Sequence, residues 1–257
     1  MESKKNSWSE GYLIHLPETA STNSYLSDLL MQDPDLPAWT VVMTDNQTAG
    51  RGQQGNSWFA SPGLNLTFSV LLRPTMLPAQ QQFDLSRLCA LSVLHTLYDL
   101  LPSAEMLSIK WPNDIYYGDR KIAGILIEHS LTGSNLDYSI LGVGLNINES
   151  DYPSYLPNPT SVRIILGHSV DLMEIFRSFM QEMRSLYRQI EEHSADQLHT
   201  RYMQCLYRRV GYHPFQDKEG RFDAIIADVL PSGELLLVRA DGRKSSYAFK
   251  EIAYILC

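Results

Sequence analysis

The chain has 257 residues, enough for one or two domains whose core needs neither disulfides nor a metal to hold it. Its 21 basic and 29 acidic residues leave a net charge of −8 and no lysine or arginine block exceeds a pair, so DNA is not expected as a partner. No window approaches the roughly 18 consecutive apolar residues of a membrane span, and Met1 to Asn6 is polar with no apolar stretch behind it, so a cytoplasmic protein without membrane contact is expected. Cys89, Cys205 and Cys257 stand far apart with no C-x-x-C pair, which excludes a disulfide framework or a zinc site; all three read as reduced thiols, two of them buried.

In chain order, Ser21 or Thr22 reads as the N-cap of a helix running through Leu30. Residues 39–43, 64–72 and 122–127 are short β-rich runs bounded by turn residues. Between the second and third, a helix is predicted over 84–101, stopped by Pro102, because proline disfavours helical geometry in the residue before it. Residues 142–148 read as an apolar strand whose two asparagines, Asn146 and Asn148, alternate outward. The clearest helix covers 172–190: Leu172, Ile175, Phe176, Phe179, Met183, Leu186, Tyr187 and Ile190 share one face, Asp171 is the N-cap, and Glu174 reaches back in a capping-box pattern. From about Arg208 the texture changes to short strands at 222–229, 234–238 and 245–249, separated by turn signals, which suggests a small barrel. The expected organisation is an α+β domain over 1–207, a mixed sheet flanked by helices, followed by a small all-β domain over 208–257.

Four elements carry chemistry. Gly50-Arg51-Gly52-Gln53-Gln54-Gly55 satisfies G-x-G-x-x-G, but no helix opens behind it and no acidic residue follows about 20 positions on, so a dinucleotide site is disfavoured. Its glycines still let backbone approach a ligand beside the permanent cation of Arg51, which suits a phosphate or carboxylate. Lys110-Trp111-Pro112-Asn113-Asp114 holds a lysine on rigid backbone at a strand end, also suited to an anion; a solvated surface lysine is the bland alternative. Asparagines in the Gly142-Val143-Gly144-Leu145-Asn146-Ile147-Asn148 run go against β propensity and mark a site. Ser21-Thr22-Asn23 offers polar groups at a helix N-terminus. No nucleophile–base ordering, paired-carboxylate arrangement or metal-ligand cluster stands out.

Taken together, these elements resemble the successive signatures of biotin protein ligases, with Gln47-Thr48-Ala49-Gly50-Arg51-Gly52, Trp58 and the run from Lys121 to Glu128 completing the series. The resemblance covers about residues 21–148 and implies a class II synthetase-like catalytic domain followed by a small SH3-like barrel. It further implies that Ser21, Thr22, Asn23, Gln47, Gly50, Arg51, Gly52, Gln53, Lys110 and Gly124 meet biotin, and that Arg51, Trp58, Lys110 and Asn146 meet ATP or the adenylate. Lys110 and Arg51 are the expected catalytic pair, with no metal held by the protein itself.

The implied reaction joins biotin to Mg2+-bound ATP as biotinyl-5'-AMP, then transfers the acyl group to a lysine of a biotin carboxyl carrier domain. The resemblance leaves a homodimer open. Two departures matter. Gln53, Gln54 and Asn56 stand where the family often has further arginines, which weakens the charge that holds the adenylate. About twenty residues precede Ser21, too few for a helix-turn-helix domain, so no repressor function is expected. The rival readings are a lipoate or octanoate ligase or transferase and, from another class, a non-catalytic biotin or nucleotide sensor.

Overall fold

A computed structural model describes residues 4–8, 11–192 and 195–255. An eight-stranded sheet carries the site. Its strands are β1 (Lys4–Trp8), β2 (Gly11–Thr19), β3 (Val41–Gln47), β4 (Leu66–Leu72), β5 (Leu107–Lys110), β6 (Asp114–Tyr117), β7 (Arg120–Thr132) and β8 (Asn135–Leu145), ordered β1-β2-β3-β4-β8-β7-β6-β5. Every neighbouring pair is antiparallel except β2 and β3, which run parallel because the helix α1 (Thr22–Gln32) crosses between them.

Alternation along the strands sends side chains to two apolar layers. Val42, Leu71 and Ile140 pack on Leu26 and Leu30 of α1, while Val41, Met43, Phe68, Val70 and Leu72 face the larger core under α2 (Phe83–Tyr98) and, after the short α3 (Val162–Leu166), α4 (Leu172–Glu191). The apolar stripe of α4 is buried as its spacing predicts. Asp171 Oδ1 accepts from the Glu174 amide at 2.9 Å, so the N-cap holds.

Several boundaries differ from the sequence reading. The first central strand begins at Val41 rather than Trp39, whose φ of 67° places it in a turn. The helix over 84–101 is shorter: α2 ends at Tyr98, and Leu100 and Leu101 both donate to the Leu97 carbonyl, closing the chain before Pro102. β8 ends at Leu145, so Asn146 and Asn148 do not alternate outward from a strand; each instead ties loop backbone, to Thr160 O and to Val170 O respectively. Ser21 sits at the N-cap of α1 without a side-chain bond to it; the Thr22 amide is taken by Gln47 Oε1 from β3 at 2.9 Å. Cys89 is buried, Cys205 is half-buried and both are free thiols, while Cys257 lies outside the described residues.

After α5 (Ala195–Gln204) comes a second, five-stranded antiparallel sheet: β9 (His213–Asp217), β10 (Gly220–Val229), β11 (Leu235–Arg239), β12 (Lys244–Tyr247) and β13 (Ala253–Tyr254), ordered β12-β11-β10-β9-β13. The sequence reading missed β9 and β13. Phe215, Ile226, Val229, Leu235 and Leu237 of this sheet belong to the same apolar core as α2 and α4. Buried Arg87 on α2 pairs with Asp84 at 2.6 Å and donates to Val229 O at 2.6 Å, fastening the two parts. Among the described residues no helix is long and apolar enough to cross a membrane.

Candidate active site

The polar end of the site is built where α1 begins. Ser21, Thr22 and Asn23 are each at most 4% exposed, so their polar atoms need partners. Ser69 on β4 supplies one: its hydroxyl oxygen lies 2.7 Å from Thr22 Oγ1 and 2.6 Å from Asn23 Oδ1. A carbonyl oxygen can only accept, so the single Ser69 proton goes to Asn23, and Thr22 donates to Ser69. The other end of the Asn23 amide donates to Glu128 Oε2 at 2.7 Å and to Leu126 O at 3.3 Å, both on β7. Gly142 on β8 is required here, because a Cβ at that position would fall 2.3 Å from Asn23 Oδ1.

A cleft of about 260 Å³ opens from this network and reaches Lys110, Trp111, Lys121 and, from the segment between β12 and β13 of the second sheet, Phe249. Its floor is the directly paired glycines Gly124 and Gly144. The Trp58 indole lies flat against them: a Cβ on Gly144 would stand 2.2 Å from Trp58 Cε2, and one on Gly124 2.9 Å from Cζ3.

Three cations border the cleft. Arg51 Nη2 donates to Glu128 Oε2 at 2.9 Å, the oxygen that also receives Asn23. Lys121 Nζ pairs with Asp114 Oδ1 at 2.6 Å and stands over the Trp58 ring. Lys110 makes no ion pair among the described residues; its ammonium rests over Tyr116 and Tyr254, 5.1 and 5.3 Å from the ring centroids. Aromatic faces attract a cation without neutralising it, so the charge of Lys110 is left for an incoming anion. Lys110 and Asp114 pair across the β5–β6 turn, and Asn113 clamps that turn to Ile125 O at 2.6 Å.

Of the residues singled out from sequence, Ser21, Thr22, Asn23, Gln47, Arg51, Gly52, Gln53, Trp58, Lys110 and Gly124 line this cleft together. Gly50 and Asn146 do not. Gly50 closes the loop on Trp58, whose amide donates to Gly50 O at 2.9 Å, and Asn146 is buried behind the cleft. Sequence reasoning missed Thr67, Ser69 and Phe249, and marked Lys121 and Glu128 only as the ends of a signature run without a role. Thr67 and Ser69 left a trace, two hydroxyls at alternate positions of an otherwise apolar strand; Phe249 left none.

The cleft thus sets a buried polar network beside three cations, two of them paired with carboxylates, and known proteins share its framework. The family model described as the Biotin/lipoate A/B protein ligase family matches residues 16–146. The bifunctional ligase/repressor BirA of Bacillus subtilis is 29% identical over 185 residues, 71% of this chain and 55% of that protein. The Escherichia coli protein of the same name is 37% identical over 138 residues, 54% of this chain and 40% of that one. The chain thus spans about half the length of the curated relatives it matches. The biotin protein ligase of Aquifex aeolicus, solved in complex with biotin and ATP, superposes with a TM-score of 0.75 at 24% identity, covering 94% of this chain and 97% of that one. With more than half of its residues matched by the family model and the sheet of that solved ligase reproduced, the chain belongs to the Biotin/lipoate A/B protein ligase family.

Proposed function

We propose that the protein is a biotin protein ligase. It activates biotin with MgATP as biotinyl-5'-AMP and transfers the acyl group to a lysine of a biotin carboxyl carrier domain. One observation carries this reading: a single cleft joins a polar group, the buried Ser21, Thr22 and Asn23 with half-buried Gln47, to the cations Arg51, Lys110 and Lys121. Fused rings with few polar atoms suit the first, and a carboxylate facing a triphosphate suits the second.

In the first half-reaction the biotin carboxylate attacks the α-phosphorus and pyrophosphate leaves. Arg51 and Lys110 stabilise charge that builds on the transferring group, with Lys121 as a third cation beside Trp58, which faces the adenine side. In the second half-reaction an uncharged lysine amine attacks the acyl carbon and AMP departs. Both halves need orientation and charge stabilisation, and neither needs a covalent bond to the enzyme.

Magnesium arrives with ATP as part of the substrate. The carboxylates at the site are already engaged, Asp114 by Lys121 and Glu128 by Arg51 and Asn23, which fits an ion held chiefly by phosphates and water. We read the five-stranded C-terminal sheet as an SH3-like barrel, the chain as a catalytic domain over 1–207 and that barrel over 208–257, and its location as the cytoplasm. The observed pairing in the order β12-β11-β10-β9-β13 supports the barrel.

The test is to incubate the protein with ATP, Mg2+ and biotin, with lipoate in parallel, and to follow pyrophosphate and the acyl-adenylate by mass spectrometry. Biotin-dependent pyrophosphate release is expected. Release that depends on lipoate and not on biotin overturns the reading.

A further inference from the structure

The Gly50–Gly52 loop gives Arg51 little of its own to stand on: the residue is 44% exposed in its side chain and its neighbours on both sides are glycines. Backbone freedom of that kind lets a guanidinium sweep through many positions, and a cation aimed at a transition state is effective only when held still. What holds it is Glu128. The carboxylate stands on β7, paired through the centre of the sheet, and its Oε2 accepts from Arg51 Nη2 at 2.9 Å. The same oxygen accepts from Asn23 Nδ2 at 2.7 Å, and Asn23 is fixed at its other end by Ser69 at 2.6 Å. A single carboxylate oxygen therefore joins the loop cation to the buried polar end of the cleft. Arg51 spends one of its five N–H donors on Glu128 and keeps the others for an anionic ligand.

We infer that Glu128 is a positioning residue for the adenylation step: by binding Arg51 and Asn23 through one oxygen, it sets the cation and the polar end of the cleft at a fixed separation. This rests on reading the site as adenylate-forming. Glu128 does not touch the reacting atoms, so its effect on the chemical step passes through Arg51 and its effect on biotin binding through Asn23; single-turnover rates at saturating biotin read the first. That predicts a strongly non-additive pair, since residues acting in one network couple where independent ones add.

The experiment is a double-mutant cycle on the full chain with Glu128→Ala, Arg51→Ala and the double variant. Single-turnover formation of biotinyl-adenylate is followed by mass spectrometry, with thermal midpoints recorded alongside. In the wild-type background Glu128→Ala is expected to lower the adenylation rate by about tenfold, since the lost contact is a solvent-exposed ion pair that steadies a transition-state donor. In the Arg51→Ala background the same substitution is expected to cost less than about threefold. An equal cost in both backgrounds, or none in the wild type, overturns the inference. Where Glu128→Ala does not fold, Glu128→Gln carries the same cycle. Absence of biotin-dependent pyrophosphate from the wild-type protein is a different result: it refutes the proposed function and this inference with it.

Discussion

At the α1 end of the cleft, Thr22, Asn23, Gln47, Ser69 and Glu128 are bonded to one another, while elsewhere in its lining Gln53 Oε1 and Trp58 Nε1 are buried without a hydrogen-bond partner among the described residues and Lys110 rests on two tyrosine rings. The contrast shows how one cleft divides two tasks. The satisfied network fixes shape before anything binds, and the other group keeps one acceptor, Gln53 Oε1, one donor, Trp58 Nε1, and the charge of Lys110 in hand for a ligand.

Removing a cation from the open end should produce the largest loss. Arg51→Ala or Lys110→Ala is expected to slow adenylation by about 10²–10³, with a thermal midpoint within a few degrees of wild type, because each takes one charge from a developing phosphate. Pyrophosphate release under saturating biotin and ATP measures this. A near-normal rate for Lys110→Ala would make it a solvated strand-end lysine.

Asn23→Ala tests the closed end, where it strands the Ser69 hydroxyl and one bond of Glu128. It is expected to weaken biotin binding by about 10- to 100-fold, corresponding to about 1–3 kcal/mol, and to act on KM more than on kcat. Calorimetric titration with biotin in the absence of ATP reads this directly. If Asn23→Ala lowers kcat as much as Arg51→Ala does, the division between shape and charge fails.

His129, the next residue after Glu128 but on the opposite face of β7, separates damage to the fold from damage to the site. It bonds Ser139 Oγ at 2.9 Å, and burial holds its imidazole down at about 4. The unfolded chain, with an ordinary pKa near 6.5, binds more protons than the folded one between these values, so stability falls as pH drops from about 6.5 towards about 4. The loss is expected to reach about 2–3 kcal/mol. Urea midpoints at pH 7.5 and 5 for wild type and His129→Gln check it: the variant should lose distinctly less.

The smallest effect concerns Gln53. An arginine there exchanges a neutral contact for a charge-assisted one, worth about 1 to 1.4 kcal/mol, so Gln53→Arg is expected to release biotinyl-adenylate roughly five- to tenfold more slowly. Stopped-flow dissociation decides it. Equal rates would show that neutral hydrogen bonds hold this loop as well as a cation would.

The parts legible in the sequence were those whose function is written in consecutive residues. Lys110 to Asp114 forms a single turn, Ser21 to Asn23 begins one helix, and the stripe from Leu172 to Ile190 is one helical face. Glu128 was invisible in its role because its partners, Asn23 and Arg51, lie 105 and 77 residues away. Trp58 was visible as a residue, yet its place on Gly124 and Gly144 depends on a loop folding back over a sheet whose pairing no local pattern specifies. β13, with two residues, is too short to leave a period. Asn146 and Asn148 broke the β rule for a structural reason: each holds loop backbone.

Gly233 illustrates how little the change in texture near residue 207 says about mechanical independence. Its φ of 94° suits a residue without a Cβ, and an added Cβ would come within 2.7 Å of Phe83 on α2; its carbonyl receives Trp111 Nε1 at 2.8 Å, and Trp111 stands edge-on to Phe249. Trp111 and Phe249 are both walls of the cleft. The tail is therefore a keystone rather than an appendage. Grafting the tail of a relative onto the rest of this chain would recut the cleft from outside, so selectivity for what enters would travel with the graft even though every residue of the polar network stayed in place.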